Sequence, residues 1–215
     1  MARVVGIMGE SGSGKTTSMR NLDPKTTFYI DCDKKGLSWK GWRSQYNDKN
    51  KNYFATDYIE VVTTILDKID KQPEQKNIST VVIDTLNGLM VGDEVRRMKD
   101  KGYDKWVDMA QCVWGLLDHL YELRDDLTVI VLCHSQTQKE DDGYTFTRIK
   151  TSGKKLDKLS IESKLTTVLY ATANDGKYVF QTHANNSTAK TPYGAFDSDE
   201  IDNDIVEVLK VLKEY

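Results

Sequence analysis

Residues 9–16 read Gly-Glu-Ser-Gly-Ser-Gly-Lys-Thr, a complete G-x-x-x-x-G-K-[ST] pattern. The apolar run over 4–8 precedes it, as expected of a buried strand, and the sequence over 17–20 can continue as a helix. A strand, a loop and a helix in this order are the structural context in which this pattern indicates a phosphate-binding loop. Its glycines let successive backbone N–H groups converge on phosphate oxygens, and the helix N-terminus adds partial positive charge. The stretch therefore predicts binding of a nucleoside triphosphate.

Candidate nucleotide ligands occupy the whole loop: Gly9, Glu10, Ser11, Gly12, Ser13, Gly14, Lys15, Thr16 and Thr17. Lys15 is expected to reach the β- and γ-phosphates of ATP, and Thr16 to hold Mg²⁺ through its hydroxyl. Asp84 closes an apolar strand over 78–84 and is the second expected magnesium ligand. A carboxylate there suits an ion that keeps most of its water, although an Asp at a strand end can also cap a turn. ATP and Mg²⁺ are the expected cofactors.

Composition limits the class of protein. The chain has 215 residues, a formal net charge of −3 and a pI near 5.7. This length fits a single domain over 1–215, and the charge balance means that any nucleic-acid contact must be local. The cysteines, Cys32, Cys112 and Cys133, lie in apolar stretches and suggest a reduced, cytoplasmic protein. The sequence contains no signal-peptide pattern and no apolar run long enough to span a bilayer, so we expect no membrane partner.

Apolar strands alternate with helical patterns through the first two thirds of the chain, which predicts an α/β fold with a mostly parallel sheet flanked by helices. The expected elements are strands over 27–30, 78–84 and 129–133, helices over 57–70 and from Asp104, a hairpin with arms at 165–172 and 178–183, and a final helix over 201–213. Asp57 and Glu60 fit a capping box for the first of these helices. Asn-Asp-Gly at 174–176 is the turn signal of the C-terminal β-hairpin.

Two further stretches are more specific than the phosphate loop. Residues 30–37 read Ile-Asp-Cys-Asp-Lys-Lys-Gly-Leu, and the tail over 189–204 begins Ala-Lys-Thr-Pro-Tyr-Gly. With the loop and the Asp-Gly hairpin, they resemble phage-encoded RecA-like P-loop ATPases that promote annealing of single-stranded DNA, over nearly the whole chain. The resemblance implies a recombination or replication protein that binds ATP and single-stranded DNA. It also allows a single-strand-binding protein as partner and a homo-oligomer with nucleotide at the subunit interface.

The resemblance implies roles for four more residues. RecA-like ATPases carry a water-activating carboxylate just past the strand that follows the phosphate loop, and Asp33 is at the equivalent position. Asp31 is the other candidate for this role. The alternative is that both carboxylates are structural. AAA+ machines usually place a glutamate directly after the magnesium-binding aspartate, where this chain has Thr85. His134 stands where the family has a polar γ-phosphate sensor, although a lone His there is often structural. Lys190 would contact the γ-phosphate of a neighbouring subunit, unless it is a solvated loop lysine.

A polar segment over 136–155 is the candidate DNA interface. Asp-Gly at 142–143 predicts a hairpin, and alternate residues of its return arm would share one face. These residues are Tyr144, Phe146, Arg148 and Lys150, and Lys154 and Lys155 extend the positive stretch. Rings that stack on bases and cations that contact phosphates suit single-stranded DNA. The alternative is an edge hairpin whose rings pack on the core.

A second basic, aromatic segment over 39–46 is a weaker DNA candidate, because its tryptophans could equally cover the sheet edge. The sequence as a whole favours a Mg²⁺-dependent ATPase that engages single-stranded DNA. The alternative is a nucleotide-gated DNA- or protein-binding module with little turnover. A small-molecule kinase is disfavoured because a kinase lid should be rich in arginine, and only Arg124 and Arg148 follow residue 97.

Overall fold

The computed structural model describes residues 1–102, 104–139, 143, 145–152, 158 and 160–215. The strands within these ranges are β1 (Arg3–Gly9), β2 (Thr27–Asp31), β3 (Tyr53–Ala55), β4 (Thr80–Asp84), β5 (Thr128–Lys139), β6 (Thr145–Ile149), β7 (Thr167–Asn174), β8 (Lys177–Gln181) and β9 (Glu200–Asp202). The α-helices whose bounds the structure describes are α1 (Trp42–Gln45), α2 (Ile59–Lys71), α3 (Leu86–Arg96), α4 (Asp104–Glu122) and α5 (Ile205–Leu212).

The described strands form one nine-stranded mixed sheet in the order β3-β2-β4-β5-β1-β7-β8-β9, with β6 paired to β5 off this path. The six strands from β3 to β7 in this order are parallel neighbours. β8 is antiparallel to β7, and β9 is antiparallel to β8. The carboxyl ends of β1, β2, β4, β5 and β7 therefore meet at one edge, where α/β sheets bind ligands. The predicted mostly parallel sheet and the C-terminal hairpin are confirmed.

Each face of the sheet carries its own half of the core, because successive strand residues point to opposite faces. On β1, Val4 and Met8 pack with α2, α3 and α4, whereas Val5 and Ile7 pack with α5 and with the segments over 19–22 and 37–46. Helices and covering segments thus lie on both faces, as the uniformly buried strands require. Among the described residues, no helix is long and apolar enough to cross a membrane.

The segment after the phosphate loop is shorter than the sequence suggests. Instead of a continuing α-helix, the chain makes a single 3-10 turn over Thr17–Met19. Pro24 follows within five residues of Met19 and has no backbone N–H. It also disfavours helical backbone at Asp23. The helix expected to present its positive N-terminus to phosphate is therefore a single turn of backbone.

Three other boundaries differ from the sequence prediction. Asp57 does not cap α2: the cap residue is Tyr58, and Asp57 instead forms an ion pair with Lys34, Nζ to Oδ1 at 2.6 Å. Residues 200–202 are a strand, and α5 begins only at Ile205, after Asp204 accepts a hydrogen bond from the Val206 N–H at 3.0 Å. β5 continues to Lys139, well past its apolar part.

The aromatic segment over 39–46 covers the sheet, as the alternative to DNA binding proposed. Tyr46 is buried, and its ring packs edge-on against the rings of Tyr29 of β2 and of Trp39, with centroid distances of 5.5 and 6.0 Å. Trp42 packs against Tyr53 of β3 at 5.5 Å. These contacts agree with the sheet-covering alternative, and a role of this segment in DNA binding stays a prediction. The three cysteines are unbridged, with Cys32 and Cys133 buried.

Candidate active site

The phosphate loop wraps tightly because its glycines have no side chains. A Cβ on Gly9 would lie 2.4 Å from Ser13 Oγ and 2.6 Å from the Ala171 carbonyl oxygen, closer than real atoms approach. Gly12 and Gly14 have φ angles of +83° and +90°, in the left-handed region that favours glycine. The sequence pattern therefore reflects a backbone path that other residues would strain.

Lys15 is held inside this loop. Its Nζ donates hydrogen bonds of 2.7 Å to the carbonyl oxygens of Gly9 and Glu10, and the residue is buried. Burial lowers the pKa of the Lys15 ammonium to about 8, against the opposing effect of the nearby Asp84 carboxylate. The loop thus confines a poorly hydrated cation, which favours an anion that could replace its lost water.

Thr16 and Asp84 come together at the same edge. The Thr16 hydroxyl donates to Asp84 Oδ2 at 2.8 Å, and the hydroxyl of Tyr29 donates to the same oxygen at 2.6 Å. The other carboxylate oxygen, Oδ1, is buried and has no hydrogen-bond partner within the described part of the chain. Burial raises the pKa of the Asp84 carboxyl, although both hydrogen bonds oppose the rise. The Thr16 hydroxyl and the Asp84 carboxylate are hard oxygen ligands, and Oδ1 of Asp84 is buried without a partner among the described residues. This arrangement fits a Mg²⁺ ion that keeps most of its water.

Tyr29 is a residue that sequence reasoning missed. It lies two residues before Asp31, and Asp31 pairs directly with Asp84 in the parallel β2–β4 register. Side chains two residues apart share a face of the sheet, so Tyr29 is a diagonal neighbour of Asp84. A phenol in an otherwise apolar strand, two positions before a carboxylate, was the available signal.

The two carboxylates after β2 have different surroundings. Asp31 is buried, and its Oδ2 accepts hydrogen bonds from the Tyr53 hydroxyl at 2.8 Å and the Gly36 N–H at 2.7 Å. Asp33 is partly exposed, and its oxygens accept from the Thr85 hydroxyl at 3.0 Å and from Lys35 Nζ at 2.5 Å. Asp31 therefore has a structural environment, and Asp33 is the carboxylate that a ligand could reach.

Thr85, the residue directly after Asp84, has two hydrogen-bonding roles. Its hydroxyl oxygen caps α3 by accepting the Gly88 N–H at 3.0 Å, while its hydroxyl hydrogen is donated to Asp33. A Cβ on Gly88 would lie 2.6 Å from both Asp33 Oδ1 and the Cys32 carbonyl oxygen. Gly88 therefore allows α3 to approach the end of β2, and Thr85 joins β4, α3 and Asp33 in one contact.

Asp33 and His134 line the same cavity of about 480 Å³, and Asn87 and Gly88 are also part of its wall. Burial lowers the pKa of the His134 imidazole, and the positive charge of Lys15 adds to the shift. A neutral imidazole can donate one hydrogen bond to a phosphate oxygen without itself titrating. The structure thus brings two sequence-predicted residues to one opening beside the phosphate loop.

A comparison with known protein families matches residues 1–193 to the AAA domain. The chain belongs to this family. AAA domains are nucleotide-binding P-loop NTPases, in agreement with the loop, the sheet and the Thr16–Asp84 pair described above. In this AAA domain, Thr85 rather than glutamate follows Asp84, so that position supplies no carboxylate for water activation. A comparison with curated proteins finds no match.

Asn87 of the AAA domain is a second residue that sequence reasoning missed. Its Oδ1 accepts the His134 backbone N–H at 2.7 Å, and its Nδ2 donates to the Lys150 carbonyl oxygen at 2.8 Å. The Lys150 N–H in turn donates to the His134 carbonyl oxygen at 2.8 Å. One buried amide at the start of α3 therefore connects the middle of β5, at His134, to the end of β6. No local sequence pattern indicates this contact.

The described part of the DNA candidate is a two-stranded extension of the sheet. β6 pairs antiparallel with the second half of β5, from the pair of Ser135 with Ile149 to the pair of Lys139 with Thr145. Thr147 and Ile149 face inward, whereas Phe146 and Arg148 alternate on the other face and Lys150 is exposed. The shared face expected for alternate residues is therefore seen for Phe146 and Arg148. Tyr144, Lys154 and Lys155 lie outside the described residues.

Arg148 has a carboxylate partner inside the protein. Its Nε lies 3.9 Å from Oε1 of the buried Glu162, and the same oxygen accepts the Ile149 N–H at 2.7 Å. This arrangement braces β6 against the protein. The role of Arg148 in DNA binding stays a prediction, and its environment favours Lys150 as the more accessible cation.

Lys190 is held by its backbone. Its N–H and carbonyl oxygen exchange two hydrogen bonds of 2.8 Å with Val168 of β7. Val168 pairs with Gly6 of β1, three residues before the strand ends at Gly9. Lys190 is therefore level with the middle of the sheet rather than with the phosphate loop. Its contact with a neighbouring subunit's nucleotide stays a prediction.

Proposed function

We propose that this AAA domain is a Mg²⁺-dependent ATPase of the phage recombination type, which binds single-stranded DNA and promotes its annealing. The observation that carries the nucleotide part is the Thr16–Asp84 contact beside the buried Lys15, with one carboxylate oxygen left without a partner among the described residues. A metal–triphosphate complex would supply both the cation that Asp84 lacks and the anion that Lys15 lacks.

The chain's own residues divide the work of phosphoryl transfer. Lys15 would exchange its two carbonyl partners for phosphate oxygens and stabilise the charge that develops there. Mg²⁺, when bound, neutralises phosphate charge during the transfer. Asp33 would orient and deprotonate the attacking water once Lys35, whose side chain is about half exposed, moves aside. His134 would donate a hydrogen bond to the terminal phosphate.

Asn87 could couple nucleotide binding at His134 to DNA binding at Lys150. A contact between His134 and the terminal phosphate would act on the middle of β5, and Asn87 connects that part of the strand to Lys150 on the DNA candidate. Asn87→Ala should therefore keep nucleotide binding but lose the dependence of DNA affinity on the bound nucleotide. Measuring DNA affinity with ATP and with ADP tests this link.

The alternative is a nucleotide-gated module with little turnover, and one observation favours it. Both oxygens of Asp33 are already engaged, by Thr85 and by Lys35. If these contacts persist with ATP bound, the carboxylate is a weaker base toward water, because the ammonium of Lys35 and the Thr85 hydroxyl already stabilise its negative charge. ATP turnover, measured with and without single-stranded DNA, separates the two functions.

The nucleotide part is tested by binding and turnover in two variants. Lys15→Ala should abolish ATP binding, and Asp84→Asn should keep some binding but lose Mg²⁺-dependent turnover. Lys76→Ala, which changes an exposed lysine elsewhere, is the matched control. Parent-like turnover in Lys15→Ala or in Asp84→Asn would overturn the assignment.

The DNA part is tested by the salt dependence of binding. Lys150→Ala should flatten the dependence of DNA affinity on salt concentration, because fewer counterions are released. Phe146→Ala should weaken binding at every salt concentration by roughly 1–3 kcal/mol if its ring stacks on a base. Unchanged affinity in both variants, with the fold verified by circular dichroism, would remove the β5–β6 hairpin from the DNA interface.

A further inference from the structure

A second cavity adjoins the phosphate loop on the side away from Asp33. It has a volume of about 590 Å³, and its wall includes Thr17, Arg20, Tyr178, Asp202, Asn203 and Glu207. Strand direction brings these residues together. β7 runs parallel to β1, so the turn that joins β7 to β8 lies at the edge of the phosphate loop. β9 runs antiparallel to β8, so its end at Asp202 returns to the same edge.

Tyr178 places an aromatic ring directly on the loop. A Cβ on Gly14 would lie 2.8 Å from Tyr178 Cδ1, so the ring occupies the space that the glycine leaves. Tyr178 is nevertheless 48% exposed. Part of the ring is packed on the loop, and the rest remains open to a ligand.

Asn203 and Arg20 fix the floor of this cavity. Arg20 Nη1 donates to the Asn203 carbonyl oxygen at 2.9 Å and to the Thr17 carbonyl oxygen at 3.2 Å. The Asn203 side chain lies against Gly14, at 3.1 and 3.3 Å from a Cβ placed there. Its Nδ2 is buried without a hydrogen-bond partner in the part of the chain that the structure describes. These contacts join the wall of the cavity to the phosphate loop.

The charges of the cavity select the kind of ligand. Its wall carries the carboxylates of Asp202, Asp204 and Glu207 against the cations of Arg20 and Lys177. A surplus of carboxylates disfavours further phosphate and accepts hydrogen bonds from hydroxyl and amino groups. A ribose and an amino-substituted base offer such donors, and the base also has a flat face for the tyrosine ring.

We propose that this cavity receives the ribose and base of the bound nucleotide, with the ring of Tyr178 stacked on the base. The inference rests on the proposed function, because it requires a triphosphate in the loop. Thr17 belongs to both the loop and the cavity, so a nucleotide whose phosphates lie in the loop can extend past Thr17 toward Tyr178. Base binding is thereby a function of the C-terminal hairpin.

The test separates the base from the phosphates. Binding of ATP and of inorganic triphosphate, each with Mg²⁺, is measured by calorimetry for the parent protein, Tyr178→Ala, Tyr178→Phe and Lys15→Ala. Tyr178→Ala should bind ATP at least about tenfold more weakly, the effect of one lost base–aromatic stack, and bind triphosphate as the parent does. Tyr178→Phe keeps the ring and should bind both as the parent does. Tyr193→Ala, which removes a fully exposed tyrosine, is the matched control and should change neither.

Three outcomes would overturn the inference. Equal weakening of ATP and triphosphate by Tyr178→Ala would show that the ring only supports the loop. Unchanged ATP affinity in Tyr178→Ala would place the base elsewhere. A parent protein that binds neither ligand, or a Lys15→Ala protein that binds both as the parent does, would overturn the proposed function together with this inference.

Discussion

The hydroxyl of Tyr29 donates a hydrogen bond of 2.6 Å to Oδ2 of Asp84, the oxygen that also accepts the Thr16 hydroxyl. Tyr29 is fully buried. Burial and the neighbouring Asp84 charge raise the pKa of its phenol, so it remains a donor at any physiological pH. Both donors hold one carboxylate oxygen, and the second oxygen is left for another ligand. Tyr29 thus positions the carboxylate without reaching a phosphate.

Tyr29→Phe should raise the Mg²⁺ concentration needed for half-maximal tightening of nucleotide binding by about tenfold or more. Groups that hold a metal-binding side chain in place typically contribute 10–100-fold to metal affinity. The variant keeps the ring and its packing against Trp39 and Tyr46. The measurement is a titration of nucleotide affinity against Mg²⁺, which does not depend on turnover.

Tyr53→Phe provides the matched control for Tyr29→Phe. It also removes a tyrosine–carboxylate hydrogen bond, the one of 2.8 Å to Asp31, but leaves Asp84 untouched. It should lower the free energy of unfolding by roughly 1–3 kcal/mol, as expected of a lost hydrogen bond to a charged group, and leave the Mg²⁺ titration at its parent midpoint. Equal midpoint shifts in both variants would assign the effect to general loosening of β2.

Asp33→Asn should bind ATP as the parent does and hydrolyse it about 10²-fold more slowly, the usual contribution of a positioned general base. Asp31→Asn should chiefly lower stability, because Asp31 holds Gly36 and Tyr53. Turnover and urea unfolding of both variants give the comparison. A larger turnover loss in Asp31→Asn would move the catalytic role to that residue, and small losses in both would favour the binding module.

Much of the fold was accessible from the sequence because strands and helices impose different apolar periods. The predicted strand over 129–133 lies within β5, and the predicted helix start at Asp104 is confirmed. α3 was missed. Its Gly88 and Gly92 lower helix propensity. Both are needed by tertiary contacts, since a Cβ on Gly92 would lie 2.7 Å from Asp57 Oδ2.

In the candidate site, too, local sequence motifs were predictable and long-range contacts were not. The phosphate loop is a local motif, so its residues and their spacing were readable directly, and Asp84 followed from its place at a strand end. Tyr29 contacts Asp84, Asn87 contacts His134 and Tyr178 contacts Gly14, and these partners are 55, 47 and 164 positions apart along the chain. Such contacts depend on strand order and register, which no local pattern encodes.

His134 predicts a pH dependence of stability. Its pKa is lower in the folded protein than the ordinary value of 6.5, because it is partly buried and lies near Lys15, Lys35 and Lys150, against the opposing charge of Asp33. The unfolded chain therefore binds a proton more readily than the folded one as the pH falls below 6.5. The free energy of unfolding should fall in that range and recover at neutral pH.

His134→Gln removes this titration. The difference in the free energy of unfolding between about pH 7.5 and about pH 5 should therefore be smaller in His134→Gln than in the parent. Urea unfolding at both pH values provides the measurement. A variant whose difference equals that of the parent would show that other groups govern the acid sensitivity.

Lys190 predicts an effect between subunits. Its two hydrogen bonds to Val168 use main-chain atoms only, so Lys190→Ala should keep the fold and lose only the ammonium. If the protein forms a homo-oligomer with nucleotide at the interface, this ammonium would stabilise the terminal phosphate of the neighbouring subunit during transfer. Lys190→Ala should then bind ATP as the parent does and hydrolyse it poorly.

Mixing two inactive proteins tests whether Lys190 acts across an interface. Lys15→Ala lacks nucleotide binding but retains Lys190, whereas Lys190→Ala retains an intact phosphate loop. A mixed oligomer would therefore contain some sites with a bound nucleotide and a neighbour's lysine, and ATP turnover should partly recover. Lys15→Ala mixed with a Lys15→Ala, Lys190→Ala double variant has no such site and should stay inactive. A fully active Lys190→Ala protein, or no recovery in the mixture, would remove the role across subunits.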